Sequence, residues 1–289
     1  MKVTGFSFIR NAIKYDYPIE EAIRSILPVC DDFVVAVGQS EDNTLELIQN
    51  IDPKKIKIIE TVWDDSLREG GAVLAQETNK AFQAIGEDTD WAFYIQGDEV
   101  VHEKYLDTIY DGMWRWKEDK RVDGLLFKYL HFYGSYDYVA ASPKWYTHEI
   151  RIVRNDRSIY SRNDAQSFRK ADNRKLRVKE LDAWIYHYGW VKDPRAMQRK
   201  QETFHKMWHD DEWLEKHVAK AEEFDYSQID ALEVFKGTHP AVMQERIKRK
   251  NWTFDYDPSF NRLSLRYKTK LFLRDRLGID LGYRNYIKI

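Results

Sequence analysis

The sequence predicts an α/β protein: a central sheet, parallel through its first half, followed by a helical C-terminal part. Three observations predict it. In the first hundred residues, short β-branched and aromatic runs alternate with stretches of helical apolar spacing. Two of those runs, Phe33-Val34-Val35-Ala36-Val37 and Trp91-Ala92-Phe93-Tyr94-Ile95, are apolar without interruption, as strands covered on both faces are. Between residues 195 and 250 β signals thin out, and Lys, Glu, Trp and Met take over.

The elements follow in order. Val3–Ile9 reads as the first strand and stops at the polar pair Arg10-Asn11. Apolar residues at 19, 22, 23, 26 and 27 have helical spacing, and Pro28 closes that helix. After the strand Phe33–Val37 comes a polar loop, Gly38 to Asn43, in which Asp42 or Asn43 can cap a helix over Thr44–Ile51. Ile56–Ile59 is the third strand, Gly71–Ile85 a helix, and Trp91–Ile95 the fourth strand. A helix over Glu103–Lys117 and strands at Gly124–Tyr133, Glu149–Val153 and Trp184–Tyr188 come next, and Pro194 opens the helical part. The expected division is a domain over residues 1–193 and an extension over 194–289. With 13 Gly and 7 Pro, no flexible linker separates them.

Composition excludes several function classes. A chain of 289 residues buries about three quarters of its unfolded surface and needs neither disulfide nor structural metal to fold. Its 46 basic and 48 acidic side chains give a net charge of −2, which argues against nucleic acid as the partner. Cys30 is the single cysteine and reads as a small buried hydrophobe. The apolar N-terminal patch is too short for a signal-peptide core, and no run approaches the ~20 apolar residues of a membrane span. The expected location is the cytoplasm. Ten Trp and 18 Tyr serve mostly as core, with a surplus suited to stacking on sugar rings or bases.

In a parallel α/β sheet, ligands bind beyond the carboxyl ends of the strands. Three polar loops reach that edge: Arg10-Asn11, Gly38 to Asn43, and Gln96-Gly97-Asp98-Glu99. No glycine-rich dinucleotide or P-loop fingerprint accompanies them. Adjacent carboxylates at the end of a buried strand are costly unless a cation or ligand compensates them, and hard oxygen ligands suit Mg²⁺ or Mn²⁺ held with a phosphate. The plainer alternative is an N-cap for the helix from Glu103. His148-Glu149 follows the aromatic segment Lys144-Trp145-Tyr146. A carboxylate there can take a proton from a bound hydroxyl, and the aromatics offer a stacking surface. The alternative is a surface ion pair with Arg151 or Arg154. His205 and His209 lie four apart but lack the zinc-protease pattern and read as a solvated helix face.

Three stretches carry a resemblance. Ser7-Phe8-Ile9-Arg10-Asn11 with Ala22-Ile23-Arg24-Ser25-Ile26, Val34 through Thr44, and Asp90 through Glu99 are together similar to the opening motifs of GT-A-fold, family 2-type glycosyltransferases. The likeness is greatest to bacterial ones acting on lipopolysaccharide or capsule. It covers roughly residues 1–190. It implies a GT-A (Rossmann-like, nucleotide-diphospho-sugar transferase) sheet and a metal-dependent, inverting transfer from a nucleotide-diphosphate sugar, expected to be a UDP-sugar. It further implies a glycan or a lipid-linked saccharide as the acceptor. The family usually has Asp where Gly38 and Gln96 stand, so Asp98 becomes the principal carboxylate for Mn²⁺ or Mg²⁺, and His187 matches the place of the family's metal-binding histidine. Arg10, Gln39, Asp42 and Arg68 are the candidates for holding the nucleotide. Glu149 is the candidate base, with Asp137 and Asp164 next. Two rival readings are a nucleotidyltransferase and a non-catalytic nucleotide-sugar- or carbohydrate-binding protein on a decayed transferase fold. The tail from Arg262 to Ile289 sets eight basic residues against Asp275 and Asp280, interleaved with leucines. That pattern predicts peripheral membrane contact, packing onto the catalytic domain being the alternative.

Overall fold

Strands β1 (Val3–Ile9), β2 (Asp32–Gly38), β3 (Ile56–Thr61) and β4 (Trp91–Tyr94) run parallel in the spatial order β3-β2-β1-β4. Helices α1 (Ile19–Ile26), α2 (Thr44–Gln49) and α3 (Ala72–Gln83) connect them. In this computed structural model, residues 1–67, 69–206, 208, 212, 213, 216, 221–277, 282 and 284–289 are described. The uninterrupted apolar run of β2 has the expected cause. Phe33, Val35 and Val37 point into a core shared with Ile19, Ile23 and Ile26 of α1, while Val34 and Ala36 point into a second core with Val73, Leu74 and Phe82 of α3.

Past β4 the sheet becomes mixed. A short β5 (Glu99–Val101) and helix α4 (Leu106–Trp116) lead to β6 (Gly124–Tyr133) and β7 (Tyr138–Ala140). Then β8 (His148–Arg154) inserts between β4 and β6, antiparallel to both. A hairpin of β9 (Ile159–Arg162) and β10 (Ser167–Lys170) stands apart from the large sheet. The strand β11 (Leu176–Trp190) pairs in parallel with β6 and antiparallel with β5. It begins well before the expected Trp184: Leu176-Arg177-Val178-Lys179 alternates apolar and charged residues, with Leu176 and Val178 buried and Arg177 and Lys179 partly exposed.

The C-terminal part has the expected helices, α5 (Pro194–Lys206) and Leu265–Leu277, but is not helical throughout. Strand β12 (Leu232–Val234) pairs with β7, and β13 (Tyr286–Lys288) pairs in parallel with the start of β11. Three-residue strands carry no periodicity to read. The carboxyl ends of β1–β4, β6 and β11 and the amino end of β8 therefore meet along one edge.

One buried ion pair ties that edge together. Arg151 of β8 donates from Nε to Glu99 Oε2 at 2.8 Å and from Nη2 to Oε1 at 2.7 Å, both side chains being fully buried. Tyr129 of β6 donates to the same carboxylate at 2.8 Å, and Arg151 Nη1 donates to the Gln166 carbonyl at 2.9 Å. The guanidinium lies 5.2 Å from the Tyr94 ring centre and 5.3 Å from that of Tyr129. A buried charge that loses its partner costs about 3–5 kcal/mol. Arg151→Met is accordingly expected to destabilise the fold by about that amount in urea denaturation. Adding Glu99→Gln to Arg151→Met should recover part of the loss, since no uncompensated charge then remains.

Candidate active site

A cleft of about 1100 Å³ runs along the shared edge. The loops after β1, β2, β3 and β4 form one wall through Arg10, Asn11, Glu41, Trp63 and Asp98. The start of β8, the end of β11, helix α5 and the C-terminal segment form the rest. Asn11 takes a left-handed backbone (φ 55°). Its Oδ1 accepts from the Glu41 amide at 2.7 Å and its own amide donates to Ser40 Oγ at 3.0 Å, so the first two loops are fastened together.

At the floor stands Asp98, 13% exposed, with Lys200 of α5 donating to its Oδ2 at 3.2 Å and to the Gly189 carbonyl at 2.9 Å. Lys192 is fully buried beside them, and both ammonium groups face the Tyr17 ring, at 4.7 Å for Lys192 and 5.0 Å for Lys200. Burial opposes ionisation of Asp98, but Lys200, His187 and Lys192 outweigh it and hold the carboxyl at about 2. Burial, with Lys200 adding to it, brings Lys192 down to about 7.

The histidines fix one another's protons. The Tyr146 carbonyl only accepts, so the 2.7 Å bond to His131 Nε2 places the proton on that nitrogen. Burial drives His131 well below its ordinary range, the ring is neutral, and its Nδ1 is bare. His187 Nδ1 must then donate across their 3.1 Å contact. Burial also lowers His187, leaving Nε2 with a lone pair 3.8 Å from Asp98 Oδ1. Two acceptors thus face one another with room beside them. A methyl group added at Gly189 would lie 2.6 Å from His187 Nε2 and 2.7 Å from Asp98 Oδ2, so glycine keeps that space open. A carboxylate oxygen, a bare imidazole nitrogen and open space fit a divalent cation with two protein ligands, an exogenous diphosphate completing the shell. Among the described residues no group of three or more His, Cys, Asp or Glu forms a full protein cage. Glu99 is not available to it, because Arg151 and Tyr129 occupy its oxygens.

Glu149 opens on the opposite wall. Neither expected arginine pairs with it: Arg151 is spent on Glu99, and Arg154 donates to the carbonyls of Trp116, Asp119 and Val122. Its Oε2 is buried and accepts no hydrogen bond among the described residues. Burial, with Asp164 and Glu99 adding to it against Arg151, pushes the carboxyl up to about 8. Asp164 also lines the cleft, and burial raises its carboxyl too. It sits in a turn whose neighbours Asn163 (φ 54°) and Ala165 (φ 61°) are left-handed. Gln96 Nε2 holds that turn at the Ala165 carbonyl, 3.2 Å away. Asp137 does not line the cleft; it accepts from Ser135.

The residues expected to hold a nucleotide divide. Arg10 lines the cleft, paired with Asp65 at 2.7 Å and 5.5 Å above the Trp63 ring. Asp42 does not line it, because its carboxylate accepts from the Thr44 and Lys14 amides and shapes the loop. Gln39 is exposed beside it, and Arg68 and His209 lie outside the described residues. Sequence reasoning missed Trp63, Lys192, Lys200 and His131. Trp63 explains Gly38: a methyl there would lie 2.3 Å from the indole Nε1, which is buried and unpartnered among the described residues. A lone tryptophan just after a strand was the available signal.

The tail meets the domain. Lys270, Leu271 and Arg274 of the helix Leu265–Leu277 and Arg284 line the cleft, while Leu265 is 81% and Phe272 59% exposed. Among the described residues no helix is long and apolar enough to cross a membrane.

Neither a known family profile nor a curated protein matches the sequence. Solved structures similar to it include residues 1–349 of S. aureus TarS, at 16% identity and TM-score 0.42 over 70% of this chain and 64% of that one. The chain thus spans less than two thirds of that TarS fragment. Another is 4-diphosphocytidyl-2C-methyl-D-erythritol synthase from Anaerococcus prevotii, at 12% identity and TM-score 0.40 over 71% and 94% of the two chains. A third is glucosyl-3-phosphoglycerate synthase from Mycobacterium tuberculosis with Mn²⁺, UDP and glucosyl-3-phosphoglycerate, at 14% identity and TM-score 0.31 over 46% and 45%.

The raised Glu149 has a stability consequence whose sign is fixed. The folded state keeps a proton up to about pH 8 that the unfolded chain loses near its ordinary value, so Glu149 makes folding less favourable as pH rises between them. Glu149→Gln removes that dependence. Its stability advantage over the wild type should grow by up to about 1.4 kcal/mol per pH unit between about pH 5 and 8, then level off, as denaturation across that range will show.

Proposed function

We propose that the protein is a GT-A-type glycosyltransferase that moves a sugar from a nucleotide-diphosphate donor, a UDP-sugar, to a hydroxyl of a glycan or lipid-linked saccharide. Residues 1–193 are the catalytic domain in this reading, and the extension 194–289 completes the cleft. One observation carries it. A buried carboxyl with an unpartnered oxygen, Glu149, shares a cleft with a carboxylate flanked by cations, Asp98. An inverting displacement uses both. The acceptor oxygen attacks the anomeric carbon while the bond from that carbon to the diphosphate oxygen breaks, and the diphosphate leaves with the electron pair. The acceptor proton passes to the ionised form of Glu149, whose value of about 8 sits close to working pH, so that this form grows as pH rises toward 8. Lys200 presents positive charge where negative charge grows on the leaving group, with Lys192 buried behind it.

Asp98 and His187 are the proposed holders of a divalent cation, Mn²⁺ by the preference of imidazole or else Mg²⁺, which when bound neutralises diphosphate charge. Trp63, with Arg10 over its ring, lines the cleft and gives a pyrimidine base an aromatic and cationic wall to lie against. Gln39 and Asp42 shape the adjoining loop in this reading, and Arg68 follows Trp63 in sequence. A nucleotidyl transfer would attack phosphorus and release pyrophosphate, whereas this reaction releases nucleoside diphosphate; product analysis separates the two.

Glu149→Gln is expected to lower turnover 10²–10⁴-fold with UDP affinity near wild type. Turnover within about threefold of wild type moves the base to Asp164.

The outer face of the helix Leu265–Leu277 sets Leu265 and Phe272 beside Lys268 and Arg276, which suits an anionic lipid surface. Full-length protein should sediment with anionic vesicles more than protein lacking residues 262–289. Equal pelleting removes the membrane contact.

A further inference from the structure

We propose that Lys200 makes occupation of the cation position depend on diphosphate, its ammonium holding Asp98 until a phosphate oxygen becomes its partner. The inference rests on the reading of Asp98 and His187 as the cation's protein ligands. Lys200 Nζ lies 3.2 Å from Asp98 Oδ2, the oxygen that also borders the space kept open by Gly189. Its second acceptor is the carbonyl of Gly189, at 2.9 Å. The side chain is 11% exposed and lies against the Tyr17 ring. The ammonium and a divalent cation would therefore share one carboxylate oxygen's surroundings, in a pocket with little water to screen them.

The other charges near the position do not offset this, because Glu99 is neutralised by Arg151. Lys192 is buried on the same side, and Asp98 is the one carboxylate near enough among the described residues to hold Lys200. Arg246 and Asp16, farther out, are spent on each other and on Glu21. Without a ligand, the carboxylate is already balanced by an ammonium, and a divalent cation entering alone meets like charge. A diphosphate reverses this. Its negative oxygens give Lys200 a new partner and offset the charge of the incoming cation. By linkage, diphosphate and cation must then raise one another's affinity by the same factor.

The test is Mn²⁺ binding to the full chain, followed by the electron paramagnetic resonance of free Mn²⁺, with and without UDP. In the wild type, UDP should tighten Mn²⁺ binding about 10–100-fold. Lys200→Met should bind Mn²⁺ without nucleotide at least about tenfold tighter than wild type, and the gain on adding UDP should shrink to less than about threefold. Lys200→Gln, which keeps a donor for Asp98 but no charge, should behave likewise, and Lys200→Arg should resemble the wild type. Mn²⁺ affinity no tighter in Lys200→Met and Lys200→Gln than in wild type, or an undiminished gain from UDP, overturns the inference. Asp98→Asn tests the underlying reading separately. Undiminished Mn²⁺ binding in Asp98→Asn sinks the cation site itself, whereas loss there with unchanged Lys200 variants sinks only the role of Lys200. Absence of Mn²⁺ binding in every protein overturns both.

Discussion

The site depends on the ion pair between Glu99 and Arg151. Two carboxylates follow β4 side by side, and only Asp98 of the two lines the cleft. Arg151 takes Glu99 with two bonds, Tyr129 adds a third, and the Gln96 amide a fourth at 3.1 Å. That leaves Asp98 alone at the cleft floor. The same guanidinium reaches the Gln166 carbonyl, and Gln96 reaches that of Ala165, so the turn bearing Asp164 is held from two sides. Ala165 and Asn163 need such holding, because left-handed backbone costs a non-glycine residue about 1–2 kcal/mol. Fastening β5, β8, β6 and this turn to one another keeps the two walls of the cleft at a fixed separation.

Burial then acts with opposite results on the two carboxyls that face the cleft. Both lose water. Asp98 gains Lys200, Lys192 and the nearby imidazole and stays ionised well below neutrality, while Glu149 has an arginine already committed to Glu99 and two like charges and keeps its proton to about pH 8. One environment holds an anion among cations, the other a carboxyl that titrates near neutrality. The separation of roles comes from the neighbours, since the carboxyls are chemically alike.

Most of the elements were legible in the sequence because they are set locally. The unbroken run of β2 is covered by α1 and α3, and the spacing of Ile19, Ile23 and Ile26 gives the face of α1. What was not legible depends on residues far apart in the chain. Adjacent carboxylates do call for compensating cations, but those cations are Arg151, 52 residues from Glu99, and Lys200, 102 residues from Asp98. The register of β8 against β4 and the docking of α5 decide that, and neither has a local signature. Gly189 likewise reads as an ordinary glycine among aromatics until His187 and Asp98 are brought around it. The two strands that return the C-terminal part to the sheet are too short for alternation to show.

Charge shows why composition and cleft point to different ligands. With a net charge of −2, the chain has no basic footprint for a nucleic acid. Yet among the described residues the cleft is lined by nine Lys and Arg against five Asp and Glu, one of which, Glu149, is largely protonated at neutral pH. Three of the nine, Lys270, Arg274 and Arg284, come from the basic tail, so that segment contributes its charge inward as well as outward. Concave walls focus the field of such a set onto the space between them. A compact polyanion entering between these walls would meet its counter-charges in one place.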